Sequence, residues 1–270
     1  MKRKRVNLDK LTTIRLKGDV LLGILDSEND FESLDNGFMI GCGSNILVKN
    51  RNVNLYKLSK KFSFVEIING MLICGASLRI SELIRFQLQH SISALEFLAG
   101  VPASVGGCIY MNAGAFSFEI SDRLIYVKGF KKGRGIVTIS RDDIDFKYRE
   151  SGLDDIIILE AGFLYERKSR DVIENSIREN IKKRIKNAHL TNTFGSIFKN
   201  PKNLIAAKLI EDVGLKGLCR NSVCISDKHA NFMVGKGLVD IDDALFLIDR
   251  VKDTVYKSFS VELEEEVKII

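Results

Sequence analysis

The chain has 270 residues, 45% of them hydrophobic and 8% aromatic, which suffices to bury a substantial core and excludes wholesale disorder. Its formal net charge is +6, and no apolar run reaches the roughly eighteen residues that span a bilayer. The basic start MKRKRVNLDK has no apolar stretch behind it, so no signal peptide is read there and the cytoplasm is the expected location.

In chain order, TTIRL, VLLGIL and FMIGCGSNILV read as short strands, the last broken by a glycine turn. SFVEIINGMLICG, residues 63 to 75, reads as a hairpin about Asn69-Gly70. SLRISELIRFQLQH then predicts a helix with Ser77 as N-cap and Leu83, Ile84 and Leu88 on the buried side. FLAGVPASVGGCIYMNAGAF, residues 97 to 116, is apolar yet holds four glycines and one of the two prolines. LIYVKGF, GIVTIS and DIIILEAGFLY continue as strands. Near residue 168 the period changes. Ile173, Ile177, Ile181 and Ile185 draw an apolar stripe along a helix whose KKRIK segment lies on the solvated face and the cation-favouring last turn. NLIAAKLIEDVGLKG predicts a second helix closed by Gly214, and DIDDALFLIDRVKDTVYKSF a third, capped by Asp240 or Asp242. The closing VELEEEVKII is extended. Strands dominate the first half and helices the second, an α+β pattern with at least two lobes.

The five cysteines are scattered among apolar or glycine neighbours, so free and mostly buried thiols are expected. Cys219 and Cys224 have no second ligand pair, and His90, His189 and His229 form no metal-binding spacing, so no metal is expected. The positive charge comes without an RNA-binding aromatic motif or a zinc finger, so nucleic acid is not the expected partner and a small anionic substrate fits better.

Three glycine turns carry the chemistry. GCGSN (Gly41, Cys42, Gly43, Ser44, Asn45) can aim consecutive N–H groups at one spot, a nest for phosphate; an ordinary hairpin turn explains it equally well in isolation. GVPASVGG adds Ser104, Gly106 and Gly107, and NAG adds Asn112 and Gly114. Three such turns between apolar strands suit an elongated cofactor with a diphosphate and a flat ring, without naming a reaction.

The order of GCGSNILV, LEFLAGVPASVGGCIYMNAGAF, FKYRESGL, FGSIFKNP, LIEDVGLKG, ISDKHANFMVG and LEEEV resembles the UDP-N-acetylenolpyruvoylglucosamine reductases, from about residue 12 to the C-terminus. The resemblance implies bound FAD, NADPH as reducing co-substrate and a UDP-sugar substrate, in the family's compact form without an extra tyrosine loop. The implied fold is a two-lobed FAD-binding region of the vanillyl-alcohol-oxidase/p-cresol-methylhydroxylase type (1–54 and 55–168). A C-terminal α+β substrate lobe (169–270) follows, its last strand returning to the active site. A monomer is expected, with no membrane partner.

In such a reductase the enolpyruvyl group takes hydride from the flavin N5, and the adjacent carbon must be supported as an enolate and protonated. The resemblance assigns Arg149 of KYRESGL to the developing charge, Ser196 of FGSIFKNP to proton donation, and Glu266, the last acid of LEEEV, to the substrate's side. Glu264 and Glu265 are expected to be solvated. Asn200 matches a substrate-diphosphate contact, with Arg184 and Lys228 as further substrate-binding cations. Without the motifs, a surface arginine, a turn serine and a solvated acidic tail explain the three catalytic positions. Departures cluster at the turns: Cys42 and Ala103 stand where glycine is usual, Asn221-Ser222-Val223 replaces a Gly-Gly-Ala run, and NAHLTNTFGS lacks prolines, which predicts a looser loop. A flavin oxidase of the same architecture would explain residues 41 to 114 but not FGSIFKNP or LEEEV. A non-catalytic nucleotide-binding module would have no need of Arg149, Ser196 and Glu266.

Overall fold

The computed structural model describes residues 1–34, 37–187 and 191–270; residues 188–190 of the loop NAHLTNTFGS lie outside it. The chain divides into two compact, interleaved units. One comprises Met1–Lys4, Leu22–Cys42 and Asn54–Lys183; the other comprises Arg5–Leu21, Gly43–Val53 and Arg184–Ile270. The C-terminal division falls inside the isoleucine-striped helix rather than at its start near 168.

The first unit is built on a five-stranded antiparallel sheet in the order Gly135–Ser140, Leu124–Lys131, Ile156–Phe163, Met71–Gly75, Val65–Ile68. Asn69 (φ 50°) and Gly70 (φ 76°) form the read hairpin turn, both left-handed as a type I′ turn requires. The core runs through Leu72, Cys74, Leu83, Val105, Ile109, Val127, Ala161 and Phe163, and each large side chain buried there contributes roughly 1.5–3 kcal/mol. Ile173 is buried, and Ile177 and Ile181 pack against this core, while Ile185 beyond the division is 52% exposed. A smaller cluster joins Leu25, Phe31, Tyr56, Phe130 and Leu159.

The second unit carries a four-stranded antiparallel sheet in the order Thr193–Ser196, Phe232–Gly235, Val223–Ile225, Cys219–Arg220. The helix Ile241–Phe259 starts at Asp240, whose carboxylate accepts the Asp242 N–H at 3.2 Å. Its Ala244, Leu247, Ile248, Val251 and Val255 form one buried stripe at helical spacing. The C-terminal strand Lys268–Ile269 pairs in parallel with Ile46–Leu47.

Several expectations are corrected. TTIRL is a turn: Thr12 Oγ1 donates to the Leu8 carbonyl and accepts from the Leu16 N–H, so local side-chain bonds replace a strand ladder. The helix after Ser77 begins at Ile80 with Arg79 as N-cap, and the Ser77 hydroxyl donates to the Ser59 carbonyl instead. Val105–Tyr110 within the glycine-rich stretch is a short helix, not a strand. Cys219 and Cys224 are not free thiols. They are cross-strand partners in a hairpin and form a disulfide, while Cys42, Cys74 and Cys108 are not disulfide-bonded. Glu264 is exposed as expected but pairs with Lys199 at 2.7 Å, and Glu265, half-buried, pairs with Lys252 at 2.8 Å.

Candidate active site

In the first unit, two of the glycine turns touch. A Cβ on Gly41 would fall on Ser104 Oγ, and Ser104 caps Val105–Tyr110 by accepting the Gly107 N–H at 3.3 Å. Gly106 donates its N–H to the Ala76 carbonyl at 2.9 Å, and a Cβ there would stand 2.9 Å from the Ala76 Cβ. Close packing of protein against protein therefore accounts for glycine at 41 and 106. Neither Cys42 nor Ala103 takes a positive φ, so their departures from glycine carry no backbone strain.

Asn112 is 1% exposed and left-handed (φ 41°). Its Nδ2 donates to Glu119 Oε2 at 2.7 Å and to the Lys147 carbonyl at 3.0 Å, while its buried Oδ1 has no hydrogen-bond partner among the described residues. Arg149, in the Lys147–Glu150 turn, is also left-handed (φ 61°); its Nη2 donates to the Gly114 carbonyl at 3.1 Å and its guanidinium lies 4.7 Å over the Tyr148 ring. Gly114 is required there, because a Cβ would meet the Phe118 carbonyl at 2.6 Å and Arg149 Nη1 at 3.2 Å.

Burial pushes the Cys42 thiol up, and Lys57 and Arg79 stand near enough to pull it the other way. Lys57 is itself pushed down by burial, with Arg79 adding to the shift. These two cations were not found by sequence reading, since each sits singly in an ordinary-looking segment. A buried acceptor without a partner among the described residues and cations beside the first turn are what a dinucleotide with a ring N–H and a diphosphate needs. The residues present fit FAD.

In the second unit, segments far apart in sequence converge. Thr13 donates its N–H to the Gly43 carbonyl at 3.0 Å and its hydroxyl to the Thr193 carbonyl at 2.6 Å. Gly43 (φ 67°) packs so closely that a Cβ would fall on the Leu11 carbonyl oxygen. The Glu266 N–H donates to the Ile197 carbonyl at 2.8 Å, the residue after Ser196, and Phe198 bridges Glu265. Asn45 Nδ2 donates to the Glu266 carbonyl at 3.0 Å, and the Lys268 N–H to the Asn45 carbonyl at 3.1 Å. Ser44 lies within the same turn. Ser196 ends Thr193–Ser196, half-buried, after Gly195 at φ 87°. Asn231 holds the next turn of this segment: its Oδ1 accepts the Phe198 N–H at 3.0 Å and its Nδ2 donates to the Phe198 carbonyl at 2.8 Å. Sequence reading missed Asn231; its only signal is an asparagine among the apolar residues of HANFMV.

The expected substrate contacts are more dispersed. Asn200 is exposed, and its Oδ1 accepts the Ala206 N–H at 3.0 Å, which ties it to the start of Ala206–Asp212. Lys228 is exposed in a turn whose N–H groups at 228 and 229 reach Ser226 Oγ. Arg184 is half-buried on the helix Arg170–Asn187.

Residues 183–270 match the family profile described as UDP-N-acetylenolpyruvoylglucosamine reductase, C-terminal domain. The chain is 33% identical over 270 residues to the UDP-N-acetylenolpyruvoylglucosamine reductase of Campylobacter jejuni (strain RM1221), covering 98% of this chain and 99% of that one. It is 36% identical over 283 residues to the protein of the same name from Aquifex aeolicus (strain VF5), covering 99% and 94%. The crystal structure of UDP-N-acetylenolpyruvylglucosamine reductase from Thermus caldophilus superposes with a TM-score of 0.89 at 28% identity, covering 100% of this chain and 99% of that one. The fold is thus of the expected α+β class and is shared along its whole length with that reductase, C-terminal lobe included. With a relative at this identity aligned along nearly the whole sequence, the chain belongs to the UDP-N-acetylenolpyruvoylglucosamine reductase family.

Proposed function

We propose that Arg149, Ser196 and Glu266 carry the chemistry of this reductase, that residues 41–45, 104–107 and 112–114 hold the cofactor, and that Asn200, Arg184 and Lys228 take the UDP-sugar. As a member of its family the chain is an oxidoreductase of peptidoglycan synthesis, converting UDP-GlcNAc-enolpyruvate to UDP-N-acetylmuramate. FAD, reduced by NADPH, supplies hydride to the enolpyruvyl methylene when bound.

Arg149 supports the charge that develops on the neighbouring carbon and carboxylate. A guanidinium stays protonated and offers a forked set of donors, and its contact with the Gly114 carbonyl fixes one edge of that fork. Ser196 delivers the balancing proton from its hydroxyl, a weak acid that serves only beside a strongly basic carbon. Glu266 borders the same segment through its main-chain bond to Ile197, where its carboxyl can hydrogen-bond the enolate or orient a donor. Asn112 Oδ1 would accept a ring N–H of the bound cofactor, and Lys57 and Arg79 would balance its diphosphate charge. Asn200 offers its amide N–H groups to the substrate diphosphate while its Oδ1 anchors the turn.

The observation that carries this reading is the convergence of 43–45, 195–198 and 264–267 through Asn45, Ile197 and Glu266. An oxidase on another substrate has no call on that arrangement. The test is optical. The purified protein should be yellow, bleach with NADPH, and regain colour on adding UDP-GlcNAc-enolpyruvate without oxygen. A colourless protein, or a bleached one that stays bleached, would overturn the reading. Among the described residues no helix is long and apolar enough to cross a membrane. A cytoplasmic monomer completes the proposal, and sedimentation at about one chain mass checks its second half.

A further inference from the structure

We propose that Glu119 is the positioning residue for Arg149, locking its guanidinium to the turn that ends at Gly114; the inference rests on the reading of Arg149 above. Glu119 closes a small hairpin in which it faces Gly114 and Phe118 faces Ala115. The loop between them, Phe116 (φ 55°) and Ser117 (φ 67°), has two left-handed residues without a glycine. Such a conformation is strained for a residue with a Cβ and persists where the surroundings over-determine it. Asn112 and Arg149 are left-handed as well, and both stand beside the Glu119 carboxylate.

Besides the Asp122 N–H, which it accepts in a capping box, that carboxylate has two side-chain neighbours. Oε2 accepts the N–H of buried Asn112 at 2.7 Å, and Oε1 stands 3.8 Å from Arg149 Nη1, an ion pair beyond hydrogen-bond range. The same Asn112 amide holds the Lys147 carbonyl, two residues before Arg149. Arg149 Nη2 meanwhile reaches the Gly114 carbonyl, directly across the hairpin from Glu119. The Glu119 N–H is fixed in turn by Asp122 Oδ2 at 2.8 Å. Buried Asn112 therefore reaches the arginine by two routes, through the carboxylate and through the backbone. A carboxylate beside a guanidinium sets the direction in which its fork faces an anionic ligand.

The test compares Glu119→Gln, Glu119→Asp, Arg149→Ala and the double variant Glu119→Gln/Arg149→Ala in the FAD-loaded protein. Four quantities are read: flavin reduction by NADPH, reoxidation by UDP-GlcNAc-enolpyruvate, the FAD dissociation constant by flavin fluorescence, and the apoprotein melting temperature. Glu119→Gln should slow reoxidation by on the order of 10²-fold, the loss expected for a misplaced catalytic group, with the other three quantities unchanged. Glu119→Asp should recover part of that loss, and in the double variant Glu119→Gln should add nothing to Arg149→Ala. Equal loss in both half-reactions, weakened FAD binding, or a full additional loss in the double variant would overturn the proposal and leave Arg149 in its role. If Arg149→Ala itself reoxidises at the wild-type rate, the reading of Arg149 falls and this inference falls with it.

Discussion

The side-chain amide of Asn45 donates to the main-chain carbonyl of Glu266 at 3.0 Å, across 221 positions of sequence. Sequence reading placed Asn45 in a phosphate-cradling turn; the structure gives its amide to the backbone that presents the expected catalytic carboxylate. Asn45→Ala should cost about 1 kcal/mol, the net worth of one such bond. That corresponds to a melting temperature lower by about 2–4 °C. Asn45→Asp should fall further, because it sets a carboxylate against a carbonyl oxygen. Thermal unfolding of the three proteins at neutral pH checks the order, and an Asp variant more stable than the Ala variant would contradict it.

Ser196→Ala should leave flavin reduction by NADPH intact and slow reoxidation by the enolpyruvyl substrate by roughly 10²–10⁴, the usual worth of a general acid. Stopped-flow absorbance resolves the two half-reactions. Equal slowing of both would remove Ser196 from the role of proton donor.

Gly43 and Gly195 separate two reasons for glycine. Both have positive φ, at 67° and 87°, but a Cβ on Gly43 meets the Leu11 carbonyl while one on Gly195 meets open space. Gly195→Ala should cost only the backbone conformation, on the order of 1 kcal/mol. Gly43→Ala must displace main chain and should largely abolish soluble folded protein. Comparable melting temperatures for the two variants would refute the packing argument.

Asp243 sets a pH dependence. The Ser222 hydroxyl at 2.7 Å, with Asn221 and Arg220 beside it, holds the carboxyl below the usual carboxylate range. A depressed folded-state value means that the stabilisation is present at neutral pH. It is lost as pH falls from about 4 through the folded value. Melting temperatures measured from neutral to acid pH should therefore decline more steeply in the wild type than in Asp243→Asn. Parallel declines would show that Asp243 contributes nothing to the acid limb.

The Cys219–Cys224 pair predicts a thiol count. Five cysteines are present and two are bridged, so denatured protein purified without reductant should titrate three thiols, rising to five after reduction. Closing this short loop stabilises by about 2 kcal/mol on the chain-entropy account. Cys219→Ser/Cys224→Ser should lower the melting temperature accordingly. Five thiols before reduction would remove the bridge.

Much of this was legible from residue order. Periodicity located the helices Arg170–Asn187 and Ile241–Phe259, and Asn69-Gly70 located its hairpin, because each signal is written within a few consecutive residues. Seven motifs in order identified the family. TTIRL failed as a strand because Thr12 satisfies backbone groups locally, and Ser77 failed as a cap because it sits in a turn closed by the Leu78 N–H to the Gly75 carbonyl, with the helix starting only after Arg79. Asn221 shows why one departure is tolerated: it takes the left-handed conformation (φ 37°) in a glycine's place and ties its amide to Asp243 at 2.9 Å.

By itself, then, the sequence determined the fold class, the family and the residue types available for hydride and proton chemistry, all of which are properties of local pattern and order. Only the tertiary structure decided that Asn45 serves the Glu266 backbone, that Asn231 clamps Phe198, that Glu119 steers Arg149, and that Cys219 meets Cys224. Apart from the hairpin-borne cysteine pair, each relationship joins residues far apart in sequence through backbone placement. Such pairings are fixed by how strands and turns pack, and no single stretch of residues encodes them.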